Sequence, residues 1–140
     1  MSLASRHLSI RIAIDVVDRI DIQSRRAGLS RLELAKTLID EGLRIEAHPE
    51  IVFRSGPAGR RPGLVGGPDI WELARVLREV GQGGGDALNQ TSELMGISRE
   101  AVARVVRYYA EYRSEVDSWI DASTGRPSNP KPHGVENRSC

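Results

Sequence analysis

The chain has 140 residues, a formal net charge of +1, and 4% aromatic residues. That length suits one ordinary domain or two small ones, and the lone cysteine, Cys140, rules out a disulfide framework. Neither a signal peptide nor a membrane-length apolar run is visible, so a cytoplasmic protein with no membrane partner is expected.

Charge is spread unevenly. Lys and Arg stand eight against seven Asp and Glu over residues 1–49, three against one over 50–68, and six against nine over 69–120. No segment is strongly basic, so any case for nucleic acid rests on pattern rather than on bulk charge.

In chain order, the first predicted element is a strand, Leu8-Ser9-Ile10-Arg11-Ile12. Leu8, Ile10 and Ile12 fall on one face, and His7, Ser9 and Arg11 on the other. A lone strand cannot satisfy its backbone. The simplest partner is the same strand of a second copy, giving a two-stranded antiparallel ribbon that fits a DNA major groove. A first helix follows, with Val16, Ile20, Ser24 and Ala27 as a narrow stripe and Gly28 as its stop. Ser30 and Glu33 have the spacing of a capping box and open a second helix. Along it Leu34, Ala35, Leu38, Ile39, Gly42 and Leu43 form an apolar band too wide for one copy to bury, which predicts an obligate homodimer with higher oligomers open.

Residues 8–45 resemble the ribbon-helix-helix superfamily, which includes many antitoxins of type II toxin-antitoxin pairs. The resemblance implies that His7, Ser9 and Arg11 read bases, with Ala13 at the strand end, and that Ser30 and Arg31 at the start of the second helix anchor a phosphate. Arg11 is the leading specificity residue because a guanidinium spans the two acceptors of a guanine. His7 reads a base, touches phosphate or does neither. Gln23 stands where the family carries a core leucine, and Ile22 is the candidate replacement in that packing. A plain solvated face is the rival reading of this strand; the strand-helix-helix order favours the DNA-reading one.

The second predicted domain covers residues 51–120. Ile51-Val52-Phe53-Arg54 and a strand near Gly63-Leu64-Val65 flank a turn rich in Gly56, Pro57, Gly59, Arg60 and Arg61, the pattern of a β-hairpin. Asp69 is the expected cap of a helix with Ile70, Leu73, Ala74 and Leu77 inward, ended by a loop at Gly81 to Gly85. A helix-turn-helix pattern follows: Ser92 is small where helices approach, Gly96 makes the turn, Ile97 plugs the corner, and Val102 and Val105 anchor the second helix. Residues 51 to 112 are similar to a family of small winged-helix-like modules, the domain of unknown function 433 type. If the second helix reads DNA, Ser98, Arg99, Ala103 and Arg107 are its readers. The net acidity of residues 69–120 favours packing against a protein partner instead.

Tyr108, Tyr109, Tyr112 and Trp119 are aromatic candidates for core or interface. Residues 121–140 form the third predicted segment, a tail rich in proline and polar residues that is expected to order only on a partner.

Taken together, these patterns predict a mainly α protein: residues 1–48 as a dimeric ribbon-helix-helix domain, then a hairpin with a helix-turn-helix module, then a flexible tail. The resemblance to the VapB class of antitoxins implies an autorepressor that binds double-stranded operator DNA and neutralises a toxin, a PIN-domain ribonuclease. Such a nuclease holds metal ions with acidic residues, so an arginine seated among them is a route to inhibition, with Arg107, Arg113 and Arg126 as candidates. Tyr112, Arg113, Trp119, Arg126 and Lys131 are the expected toxin contacts. The alternative is a stand-alone transcription factor with two DNA-binding modules and no toxin.

An enzyme is not expected, and no cofactor or metal site is predicted. His7, His48 and His133 are far apart, and Gly81 to Gly85 lacks the lysine and hydroxyl residue of a phosphate loop.

Overall fold

The computed structural model describes residues 4–57 and 59–125. It is mainly helical, with six helices and one two-stranded antiparallel sheet among the described residues. Packing divides the chain into two compact units, Met1–Leu43 and Arg44–Cys140. The division therefore falls ahead of residue 48, the predicted end of the first domain.

In the first unit, residues 4–13 are neither helix nor strand. The predicted strand at Leu8 to Ile12 is not formed, because no second segment among the described residues supplies the ladder of N–H and C=O partners a strand requires. Helix α1, Ile14–Ala27, starts without a side-chain cap and carries Asp15 in its first turn, where a carboxylate suits the helix dipole. It ends at Gly28, whose φ of 71° is the left-handed conformation that glycine adopts at least cost; the Leu29 N–H then bonds back to Ser24 O at 2.9 Å. Val16 and Ile20 are half-buried and Ser24 is buried, its Oγ donating to Asp21 O at 2.9 Å. Ala27, expected inward, is exposed, as are Gln23 and its candidate replacement Ile22.

Helix α2, Arg31–Ala47, opens on the predicted capping box: Ser30 N–H donates to Glu33 Oε1 at 3.0 Å, and Glu33 N–H donates to Ser30 Oγ at 3.1 Å. Of its apolar band only Leu34 is buried, while Ala35 is half-buried and Leu38, Ile39 and Leu43 remain exposed.

The second unit holds the larger core. Strands β1, Ile51–Gly56, and β2, Gly59–Leu64, pair from Ile51 opposite Leu64 to Gly56 opposite Gly59. The second strand thus begins earlier than predicted. Gly59, Arg60 and Arg61, read as turn residues, belong to the ladder, and Val65 lies beyond it. Helix α3, Ile70–Gln82, packs against β2 and three further helices: α4, Ala87–Met95; α5, Arg99–Glu111; and α6, Arg113–Ser123. Ile70, Leu73 and Ala74 are buried as expected, with Leu77 half-buried. Ile70, Leu73 and Ala74 meet Ile51, Leu64, Val105, Tyr108, Val116 and Ile120 in one cluster. Helix α6 runs past residue 120, so the segment predicted as tail from residue 121 is helical at its start.

Arg54 fixes the passage from hairpin to helix. Its guanidinium donates to Asp69 Oδ1 at 2.8 Å, to Leu64 O at 2.6 Å and to Gly67 O at 2.8 Å. Gly63 makes room for it, since a Cβ there would lie 2.2 Å from Arg54 Nη1. Asp69 N–H in turn donates to Glu72 Oε1 at 3.1 Å, one arm of the capping arrangement of α3.

Candidate nucleic-acid interface

The residues expected to read bases lie in the exposed segment before α1. His7 Nε2 and Ser9 Oγ are 2.8 Å apart in a hydrogen bond, and Arg11 is exposed with no ion pair among the described residues. On the same segment Leu8 is 72% exposed, Ile10 59% and Ile12 40%, so the apolar face of the alternating pattern is uncovered in the single chain.

The side chains of the two expected phosphate anchors, Ser30 and Arg31, are bonded within the unit. Ser30 Oγ accepts from Glu33 N–H, and Arg31 donates to both oxygens of Asp21, Nε to Oδ1 at 2.8 Å and Nη2 to Oδ2 at 2.9 Å. The hydrogen bond from Arg31 holds the Asp21 carboxyl below its ordinary pKa, and the same bond raises that of Arg31. The Glu33 carboxyl is likewise lowered, first by the backbone N–H of Ser30. An open groove of about 420 Å³ lies on the same unit, with Val16, Ile20, Ile22 and Leu38 as its apolar walls and Arg19 and Arg26 also lining it.

In the second unit α4 and α5 are joined by a short turn at Gly96 to Ser98. Gly96 closes α4 with a φ of 70°, Ser92 Oγ donates to Ile97 O across the corner, and Ser98 Oγ caps α5 by accepting from Ala101 N–H at 3.1 Å. Val102 and Val105 are buried beneath α5. Of the four candidate readers, Ser98 is spent on the cap, Arg99 lies 3.6 Å from Asp86, Ala103 is half-buried, and Arg107 is exposed without an ion pair among the described residues.

The aromatic candidates divide. Tyr108 and Tyr109 are core, and burial pushes the pKa of each up to about 12. Tyr112 is half-buried with its ring centroid 4.6 Å from that of Tyr108. The guanidinium of Arg113 lies 4.9 Å from the Tyr109 ring, and that of Arg61 lies 5.8 Å from Trp119. Arg126 and Lys131 lie outside the described residues.

Sequence reasoning missed a polar cluster around Arg44 and His48. Arg44 donates to Tyr108 Oη at 2.8 Å and to the two carboxylate oxygens of Glu115 at 2.7 and 3.1 Å, and its guanidinium carbon stands 3.9 Å from the Tyr112 ring centroid. Burial works against the Arg44 charge, but the bonds to Glu115 and Tyr108 outweigh it and the net shift in pKa is upward. His48 Nε2 pairs with Glu111 Oε1 at 2.7 Å, and its ring meets Tyr108 edge-on at 5.1 Å. Arg44 and His48 stand four positions apart, as do Glu111 and Glu115 on either side of the break at Tyr112, but nothing in that spacing says which carboxylate each cation meets.

The chain matches no family model, no curated protein and no solved structure. No helix of the described residues is long and apolar enough to cross a membrane.

Proposed function

We propose that the protein is a homodimeric DNA-binding regulator of the ribbon-helix-helix kind that also serves as the antitoxin of a ribonuclease toxin with a PIN domain. One observation carries the DNA-binding part: an alternating apolar segment, Leu8 to Ile12, precedes two helices joined at Gly28 and leaves its apolar residues uncovered together with Leu38, Ile39 and Leu43 of α2. Pairing that segment with its copy satisfies both backbones and buries the apolar face, while His7, Ser9 and Arg11 remain outward for a major groove. The antitoxin part follows from the sequence resemblance, with Tyr112, Arg113 and Trp119 as the toxin-facing candidates.

The test is a gel shift on the DNA upstream of the coding sequence, with sedimentation to measure mass. A dimer that shifts this DNA at physiological salt is expected. Arg11→Ala should leave the dimer intact and remove a base contact worth about 1–3 kcal/mol per protomer. A monomer in sedimentation, or an Arg11→Ala protein with unchanged affinity, would overturn the reading. Co-purification with the neighbouring gene product, and loss of that product's ribonuclease activity on mixing, tests the antitoxin part.

A further inference from the structure

We propose that the outward face of α5 is a second contact for duplex DNA, formed by Arg104 and Arg107 beside Ala103. The inference uses residues of the second unit only and stands whether or not the segment before α1 reads bases.

Three observations carry it. Arg104 and Arg107 are exposed and have no ion pair among the described residues, in contrast to Arg44, Arg54, Arg75 and Arg78, each of which holds a carboxylate. They share the face of α5 opposite Val102, Val105 and Tyr109, which fix the helix to the core. The helix is the second of two joined by a short turn with a left-handed glycine corner and a capped start, the order of elements in which a DNA-reading helix enters a major groove.

The acidic balance of the surrounding sequence does not oppose this face. Asp69, Glu115 and Asp117 are bound to Arg54, Arg44 and Arg78, and Asp86 caps α4. On the face itself Glu100 lies in the first turn of α5, and Glu111, at the other end, is bound to His48. The middle of the helix is left with two guanidinium groups and a small side chain between carboxylates at its ends. A phosphate backbone fits that arrangement: two cations one turn apart match adjacent phosphates, and Ala103 permits close approach.

The experiment measures binding of the full chain to a labelled mixed-sequence duplex across a salt series. The variants are Arg104→Gln with Arg107→Gln, Ala103→Glu, and Arg60→Gln on the hairpin as a control. The double variant should bind roughly tenfold more weakly at moderate salt and lower the salt slope by about two per protomer, because each phosphate contact contributes about one. Ala103→Glu should weaken binding by a similar factor, and Arg60→Gln should change nothing. Circular dichroism confirms that each variant is folded. Unchanged affinity and slope in both α5 variants would overturn the proposal, as would a loss confined to binding a protein partner. Because Arg11 is untouched in these variants, a failure here is separate from failure of the ribbon reading.

Discussion

Breaking the pair between Arg44 and Glu115 should weaken the second unit by an amount that a double-mutant cycle can isolate. Arg44→Met keeps the aliphatic stem beside Tyr112 and removes two bonds to Glu115 and one to Tyr108. Tyr108 is 0% exposed, so no water replaces the donor that its hydroxyl loses, at a cost of about 1–3 kcal/mol. The paired bonds to Glu115 are charge-assisted, a class worth about 1.5–3 kcal/mol, and they are discounted because the Glu115 side chain is 36% exposed. A coupling of about 1–2 kcal/mol between Arg44→Met and Glu115→Gln is therefore expected. The only two tryptophans, Trp71 and Trp119, both lie in the second unit, so fluorescence during urea unfolding reports that unit alone. Single-variant losses that add to within about 0.5 kcal/mol of the double variant would refute the reasoning, since the pair would then hold nothing together.

Two further outcomes are open to direct measurement. Gly63→Ala should push the Arg54 guanidinium off Asp69 and destabilise the unit by about 1–3 kcal/mol, whereas the same change on an Arg54→Ala background should cost far less; equal costs in chemical denaturation would show that the clash is not the cause. Tyr108 and Tyr109, held near a pKa of about 12 by burial, keep their protons in the folded state from pH 10.0 upward while an unfolded chain loses them. Their contribution to stability is thus fully present below pH 10.0 and is lost as pH rises towards about 12. Phenolate absorbance should show two late-titrating tyrosines, and three ionising together near the ordinary value would contradict the assigned burial.

What the sequence made legible was local. Gly28, the box of Ser30 and Glu33, Asp69 and Gly96 each act on backbone groups within a few residues, and each stands at the helix end where it was expected; Ser98 caps α5, a role the sequence reading did not give it. The strand at Leu8 to Ile12 is a different kind of signal, because alternation specifies a face and leaves the partner unnamed. The early start of β2 was hidden by Gly59, Arg60 and Arg61, residues that read as a turn yet are tolerated in a short two-stranded hairpin. The break between α5 and α6 falls at Tyr112, with φ −120° and ψ 40°, and no glycine or proline announces it. The bond from Arg44 to Glu115 joins residues 71 positions apart, a distance at which no periodicity speaks.

Asp69 takes part in two arrangements at once: its carboxylate holds the guanidinium of Arg54, and its backbone N–H takes the Glu72 side chain at the start of α3. The hairpin and the first turn of α3 are therefore one cooperative piece, closed by contacts 15 residues apart or fewer. Short loops of that size close early in folding, before the longer excursions that bring Arg44 to Glu115. The segment from β1 to the first turn of α3 is thus placed as a nucleus on which α5 and α6 later settle, and its amides should exchange with solvent as a single group.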